Sequence, residues 1–277
     1  MTDFSGQVAW VAGAARRPHI GRATAVQLAR LGADVACVDV VTPTPTDDDS
    51  YRVSRAALDA TAEAVEREGR RALALPVDLT DPEAVDASVA ATVTALGRVD
   101  VCCNLSGGTG PDLGNGSLVR LAPASWTAAL DANLTTVWLG ARACALRMID
   151  QGDGGAIVNL SSSAGVHGEP GFGAFSAARG GVLRLTEVLA TELAPHGVRA
   201  NAVCPLGVSP TAGGGNPGLE RGAARRLGTL DDWVAATIPL GRLQRPDETA
   251  SVVVFLASRA ASFVSGQAIT VGGGAHV

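Results

Sequence analysis

The sequence predicts an α/β fold: a single doubly wound domain with a parallel sheet of about seven strands. Short apolar runs alternate with longer segments of helical periodicity along the 277 residues. Apolar residues make up 47% of the chain and charged residues 18%, which is enough apolar material for a sizeable core. Strands that are joined by crossover helices form parallel sheets covered on both faces.

Each predicted element is a run of one periodicity bounded by a turn. The strands are predicted at 8–13, 33–40, 72–78, 99–107, 155–162, 198–205 and 267–273. The helices are predicted at 21–32, 54–69, 81–97, 123–150, 174–194 and 247–258. Asp81 and Pro82 are typical of an N-cap and of a first helical residue. No linker or solenoid repeat divides the chain, so residues 1–277 are expected to form one domain.

Two polar segments interrupt this alternation. Residues 41–53 are acidic and proline-rich, and they are predicted to form a solvated surface loop. Residues 206–229 are rich in glycine and proline, and they follow the carboxyl end of a strand, where ligands bind in open α/β sheets. Long loops at this place are often functional, which predicts a mobile substrate lid at about 206–235.

Composition excludes several classes of protein. The net charge of −5 argues against a nucleic-acid-binding protein. No apolar stretch is long enough to span a membrane, and the N-terminus has no signal-peptide pattern. The five cysteines lack the spacing of a metal site or a disulfide framework, so no metal is expected. We therefore expect a cytoplasmic protein with no membrane partner.

A dinucleotide site is predicted at the end of the first strand. A loop from Gly13 to Gly21 opens the first helix, and glycine there lets the backbone approach a pyrophosphate. The second strand ends in Asp39, whose carboxylate can accept a hydrogen bond from a ribose 2′-hydroxyl and repels a 2′-phosphate. This favours NAD over NADP, although Arg16 and Arg17 weakly favour the phosphate.

Ordered motifs along the chain resemble those of the short-chain dehydrogenase/reductase family, which has a Rossmann-type fold. The resemblance covers nearly the whole chain. It is carried by the Gly13–Gly21 loop, Asp39, "VDLTD" (77–81), "NLSG" (104–107), "LDANLTTVWL" (130–139), "IVNLSSSAG" (157–165), "FSAAR" (175–179), "ELAPHGVRANAVCP" (192–205), "PLGRLQRPDE" (239–248), "FLAS" (255–258) and "FVSGQAITVGGG" (263–274).

The resemblance implies a set of NAD-binding positions. Asp78 and the backbone of Leu79 would flank the adenine, Asn104 and Ser106 would lie along the cofactor, and Val208 would lie near the nicotinamide amide. The full implied set is Gly13, Ile20, Gly21, Asp39, Asp78, Leu79, Asn104, Ser106, Arg179 and Val208. The chain departs from the family pattern in its lengthened glycine loop and in "NLSG".

The resemblance also assigns the catalytic positions. Family members use an Asn, a Ser, a Tyr and a Lys, and these places correspond here to Asn133, Ser162, Phe175 and Arg179. Ser162 would polarise the substrate oxygen and Asn133 would hold a proton-relay water. A phenyl ring has no exchangeable proton, so Phe175 cannot be the general acid or base. Arg179 is less diagnostic, because all 22 basic residues are arginine.

Another group would have to exchange the proton. His167 and Glu169 lie in "VHGEPG", a segment that borders the substrate in the family, and histidine titrates near neutral pH. We therefore expect His167 to be a candidate acid or base, with a plain surface histidine as the alternative. Cys204, at the end of the sixth strand, is a weaker candidate for a nucleophile.

Three functions remain open at this point. The first is an NAD-linked oxidoreductase that acts on an apolar small molecule with a non-standard proton donor. The second is a non-redox enzyme that dehydrates, isomerises or cyclises a biosynthetic intermediate. The third is a catalytically silent NAD-binding partner. The resemblance further implies a homotetramer or homodimer built through the helices 123–150 and 174–194.

Overall fold

The structure is a computed structural model that describes residues 3–15, 19–41, 53–110, 113–209, 219–220 and 228–275. Its strands are β1 (Val8–Ala12), β2 (Asp34–Asp39), β3 (Ala72–Pro76), β4 (Val101–Asn104), β5 (Gly155–Leu160), β6 (Val198–Pro205) and β7 (Ala268–Val271). They form one parallel sheet in the order β3-β2-β1-β4-β5-β6-β7. The predicted doubly wound fold, with about seven parallel strands, is confirmed.

Both faces of the sheet are covered, as the central strand β1 illustrates. Every residue of β1 is buried, and successive side chains point to opposite faces. Ala9 and Val11 pack into one apolar cluster, whereas Val8 and Trp10 pack into the other. Trp10 is fully buried, and its indole N–H donates to Ser88 Oγ at 3.2 Å. The central strands therefore contribute to two cores, which is why they are continuous apolar runs.

Helices pack on the two faces. They are α1 (Ile20–Arg30), α2 (Arg55–Arg67), α3 (Pro82–Leu96), α4 (Pro123–Leu130), α5 (Thr136–Gln151), α6 (Ser163–Val166), α7 (Gly173–Leu193), α8 (Leu230–Thr237) and α9 (Pro246–Ala257). Asp81 caps α3 as predicted, since its carboxylate accepts from the backbone N–H of Glu83 at 2.9 Å and of Ala84 at 3.4 Å.

The helix predicted at 123–150 is not continuous. A π-helical turn, Asp131–Thr135, separates α4 from α5. At its centre, the Asn133 side chain donates to the carbonyl of Ala129 and exchanges hydrogen bonds with the backbone of Gly108. These side-chain bonds compete with the regular helical ladder, and π turns of this kind are frequent at functional sites.

The sheet order places a crevice between the carboxyl ends of β1 and β4. The chain runs outward from β1 to β3 and then resumes at β4 on the other side, so the loops after β1 and β4 diverge at this point. Ligands of open α/β sheets bind at such a switch point. The predicted surface loop at 41–53 lies largely outside the described residues, and so does the central part of the predicted lid at about 206–235. No helix of the described ranges is long and apolar enough to cross a membrane.

Candidate functional site

The floor of the crevice is formed by backbone rather than by side chains. Gly13 follows β1 with φ of +83°, and a Cβ atom there would lie 2.7 Å from the carbonyl carbon of Leu105. A Cβ atom on Gly21 would collide with the carbonyl oxygen of Gly13. Only glycine permits this close packing of the loop, β4 and the first turn of α1.

Two acidic residues stand on one wall of the crevice. Asp39 ends β2, and its carboxylate accepts from the backbone N–H of Ala15 at 2.8 Å and of Val40 at 2.9 Å. Asp78 accepts from the N–H and the hydroxyl of Thr80. Both residues line a cavity of about 150 Å³, together with Gly13, Leu79, Ser106, Leu113 and Thr136 among others.

This cavity has the groups that one half of a dinucleotide needs. It lies beside the start of α1, where backbone N–H groups favour an anion such as a pyrophosphate. The Asp39 carboxylate, at the end of β2, is placed to accept from ribose hydroxyls. The negative charge of Asp39 repels a phosphate on that ribose hydroxyl, as NADP has at its 2′ position.

A second cavity of about 260 Å³ continues from the first. His19, Gly107 and Gly108 line both of them, so the two cavities adjoin at the carboxyl edge of the sheet, and the pair is called the groove. The second cavity has a largely apolar wall with a few polar groups. Its lining includes Ile20, Thr109, Leu160, Ser162, Glu169, Phe172, Phe175, Arg179, Leu206, Val208 and Trp233.

Ser162 lies at the point where β5 becomes α6. It is the N-cap of that helix, and its hydroxyl accepts from the backbone N–H of Ala164 at 3.2 Å. The residue is half-buried and faces the second cavity. A hydroxyl with one accepted bond still has a proton to donate, so Ser162 can polarise a substrate oxygen.

Arg179 is a buried cation on the wall of this cavity. Only 2% of its surface is exposed, and its guanidinium donates to the carbonyls of Leu160 and Ser106. Its Nε has no hydrogen-bond partner. Burial lowers the pKa of the Arg179 guanidinium to about 10, so the group stays charged at neutral pH.

Phe175 lies one helical turn before Arg179 on α7. The guanidinium carbon of Arg179 is 5.3 Å from the centre of the Phe175 ring, a cation–π distance. The ring of Phe172 packs edge-on against Phe175, with 6.5 Å between centroids. This part of the cavity therefore presents aromatic surface and a delocalised positive charge.

Cys204 is fully buried behind the site, in β6. Burial raises the pKa of its thiol, and the nearby Ser161 hydroxyl and Arg179 charge only partly oppose this. A neutral, inaccessible thiol is a poor nucleophile. The Cys204 side chain is therefore part of the packing behind the cavity.

Known proteins share this architecture over almost the whole chain. The (-)-trans-carveol dehydrogenase of Rhodococcus erythropolis is 36% identical over 287 residues, which cover 99% of each protein. The cyclohexanol dehydrogenase of Rhodococcus sp. (strain TK6) is 36% identical over 99% of this chain and 98% of its own. The crystal structure of a short chain dehydrogenase from Mycobacterium paratuberculosis bound to NAD superposes with a TM-score of 0.86, at 30% identity and 98% coverage of both chains.

A family model described as Enoyl-(Acyl carrier protein) reductase matches residues 13–276. The chain belongs to the short-chain dehydrogenase/reductase family. The dinucleotide predicted from Asp39, NAD, is the one that the mycobacterial neighbour contains.

In this short-chain dehydrogenase/reductase, most of the predicted residues meet along the groove. Gly13, Asp39, Asp78, Leu79 and Ser106 line its first cavity. Ile20, Ser162, Phe175, Arg179 and Val208 line its second cavity. Asn133 is fully buried beneath the groove and holds the Gly108 backbone through two hydrogen bonds, of 2.9 and 3.0 Å.

Asn104 lies elsewhere. Its side chain is fully buried and donates to Asn159 at 2.9 Å, and Asn159 in turn donates to Thr186. Neither cavity includes Asn104 in its lining. The Asn104 side chain therefore ties β4 to β5 and to α7, and it does not extend along the groove.

The structure also separates the two titratable residues of "VHGEPG". His167 is the C-cap of α6, is exposed, and does not line either cavity of the groove. Glu169 is half-buried and lines the second cavity.

Sequence analysis missed several wall residues, of which two have large functional side chains. His19 precedes α1 and lines both cavities, and Trp233 of α8 lines the second. The position of His19 next to a helix start in the glycine loop was a usable signal. No local pattern places Trp233 there, because its contact with the cavity depends on the path of the long preceding segment.

Proposed function

We propose that the protein is an NAD-linked oxidoreductase that interconverts an apolar alicyclic secondary alcohol and its ketone. One observation carries the proposal. The cavity lined by Asp39 adjoins the cavity lined by Ser162, because His19, Gly107 and Gly108 line both. A dinucleotide that is held at Asp39 thus extends toward the serine.

NAD, when bound, supplies a nicotinamide ring that accepts a hydride. Gly13, Ile20 and Gly21 would hold the pyrophosphate, and Asp39 the adenine ribose. Asp78 and Leu79 would flank the adenine. Ser106, Val208 and the spare donors of Arg179 would lie along the nicotinamide half.

Ser162 donates a hydrogen bond from its hydroxyl to the substrate oxygen, which in the ketone draws charge away from the carbonyl carbon and favours hydride addition there. Asn133 acts through the backbone of Gly108, whose position it fixes at the junction of the two cavities. The Arg179 cation favours negative charge that develops on the substrate oxygen. The active site is atypical, because Phe175 stands where the family has its proton-exchanging tyrosine.

The cavity wall and the relatives both support this substrate class. Phe172, Phe175 and Trp233 give the second cavity apolar surfaces that match a saturated or terpenoid ring. The relatives named for carveol and cyclohexanol are both 36% identical to this chain. An alicyclic secondary alcohol satisfies both observations.

A second candidate function is non-redox chemistry on the same fold, such as dehydration or isomerisation. The observation that favours it is the pairing of the Phe175 ring with the buried Arg179 cation, in place of a proton-exchanging phenol. Such a site can stabilise an oxyanion without hydride transfer.

Two measurements on the purified protein test the proposal. Calorimetric titration should show that NAD and NADH bind. Absorbance of NADH should then fall with alicyclic ketones and rise with alicyclic alcohols, across a panel that includes cyclohexanol and carveol. Binding of NADH without turnover of any member of the panel would favour the non-redox candidate.

We also propose a homodimer or homotetramer. Trp138 and Leu146 on α5 and Val188 on α7 are about half exposed, with 47%, 51% and 52% of their surfaces accessible. Large apolar side chains on adjacent helices are typical of an interface. Light scattering on the eluted protein should give twice or four times the mass of the chain.

A further inference from the structure

The second cavity needs a group that can take and return a proton. The phenyl ring of Phe175 cannot do so, and the serine hydroxyl of Ser162 does not ionise near neutral pH. Arg179 keeps its charge. Among the described lining residues, this leaves two titratable side chains, His19 and Glu169.

These two residues lie at different ends of the groove. His19 lines both cavities and directly precedes α1, so it stands at the junction where a pyrophosphate would lie. Glu169 lines only the second cavity, in the company of Ser162, Phe172 and Phe175. Of the two, Glu169 is therefore the one placed at the substrate end.

The backbone of Glu169 is fixed against the start of α7. Its N–H donates to the hydroxyl of Ser176 at 3.2 Å, and its carbonyl accepts from the N–H of Phe172 at 2.9 Å. The N–H of Ser176 in turn donates to the carbonyl of Phe172 at 2.7 Å. These three hydrogen bonds fix the position of Glu169 relative to the first turn of α7, which carries Phe175.

We propose that Glu169 is the catalytic acid and base of this enzyme and takes the role that the phenyl ring of Phe175 cannot perform. The assignment rests on the proposed function. In alcohol oxidation the carbinol C–H bond breaks and its hydride passes to the nicotinamide. The O–H bond breaks as well, its proton passes to the Glu169 carboxylate, and its electron pair completes the carbonyl. In ketone reduction Glu169 returns the proton.

Glu169→Gln keeps the size of the side chain and removes its proton exchange. We expect kcat for an alicyclic alcohol to fall by about 10²-fold or more, with KM and the affinity for NADH within about threefold of wild type. Glu192→Gln is the matched control, because Glu192 is an exposed glutamate near the other end of α7. The control should keep wild-type kcat.

A second readout needs no turnover. Binding of cyclohexanol to the protein without cofactor is measured by calorimetry for wild type, Glu169→Leu and Glu192→Leu. The cyclohexanol hydroxyl would donate to the Glu169 carboxylate, and leucine removes this acceptor. We expect binding to weaken by about threefold or more in Glu169→Leu and to stay at the wild-type value in Glu192→Leu. Equal affinity in all three proteins would contradict the assignment.

A rescue variant separates a catalytic role from a structural one. Phe175→Tyr in the Glu169→Gln background supplies a new proton-exchanging group in the same cavity. We expect it to regain at least tenfold in kcat, with the pH profile for alcohol oxidation moved upward toward the range of a phenol. Loss of stability alone would not be rescued in this way.

The outcomes distinguish the assignment from the function. An active wild type with Glu169→Gln within threefold of it would overturn the role of Glu169 and leave the oxidoreductase intact. A loss of 10²-fold in His167→Ala, with Glu169→Gln unaffected, would move the role to His167. A wild type that binds NADH and turns over no alcohol or ketone would overturn the function itself.

Discussion

Placing a phenol at position 175 is the most informative single change. Phe175→Tyr adds one hydroxyl to a ring that already lines the second cavity together with Ser162. The ring lies 5.3 Å from the guanidinium carbon of Arg179. The new group thus enters a site that has a hydrogen-bonding serine and a fixed positive charge.

The positive charge of Arg179 sets the size of the gain in turnover expected for Phe175→Tyr. With the 5.3 Å between the guanidinium carbon and the ring centre taken as the scale of the separation, and an effective dielectric constant of about 20, two unit charges interact by about 3 kcal/mol. This interaction stabilises the phenolate anion and lowers the pKa of the added phenol. The energy corresponds to an increase of about a hundredfold in the ionisation constant of the phenol. A positioned acid or base contributes about 10²–10⁴-fold in rate. We therefore expect a gain of at least tenfold in NAD-linked turnover above the contribution of the existing donor.

The assay follows NADH absorbance with simple alicyclic ketones, for wild type, Phe175→Tyr and Phe175→Tyr with Arg179→Lys. The double change tests whether a compact ammonium serves the phenol better than the forked guanidinium, and we expect it to be at least as active. The reasoning is refuted if both variants bind NADH as wild type does and neither gains activity on any ketone.

Three further predictions concern the cofactor and stability. Because of the Asp39 carboxylate, NADP(H) should bind at least about tenfold more weakly than NAD(H) by calorimetry, and equal affinities would contradict this. Gly13→Ala should lower Tm more than Gly69→Ala does, since both have positive φ but only at Gly13 would the Cβ meet backbone, at 2.7 Å; equal losses would leave the close approach unsupported. A hydrogen bond from Arg242 lowers the pKa of Glu248 from its usual 4.5 to about 2. The ionised Glu248 therefore stabilises the folded protein fully above pH 4.5, and this contribution is lost as the pH falls toward 2. The difference in Tm between wild type and Glu248→Gln should shrink over that interval, and a constant difference would be the contrary result.

The sheet was predictable because its strands are buried on both faces. In β1 and β2 every residue is apolar or is held by hydrogen bonds, which leaves continuous runs that no amphipathic helix would show. The π turn at Asp131–Thr135 was not predictable from periodicity. It depends on the bonds that Asn133 makes to Gly108, and these exist only once the chain is folded.

The site was predictable in its order along the chain and less so in the direction of its side chains. Asn104 shows the difference. Cys102, two residues earlier, packs on the Trp10 side of the sheet, and Asn104 has the same parity. The alternation of side chains along a strand therefore predicts that the Asn104 side chain lies on this face, inside the molecule. In the structure it lies beside Gly140. The choice between His167 and Glu169 depends on how the turn at 167–172 meets α7.

Transfer of deuterium from alcohol carbon to cofactor tests the central claim most directly. The purified enzyme is incubated with NAD and cyclohexanol that carries deuterium at its carbinol carbon, and the NADH and the organic product are analysed by mass spectrometry. If the protein is an NAD-linked oxidoreductase, we expect cyclohexanone and NADH in equal amounts, with one deuterium in each NADH. An unlabelled cofactor beside a dehydrated or rearranged product, or no product with bound NAD, would contradict the claim.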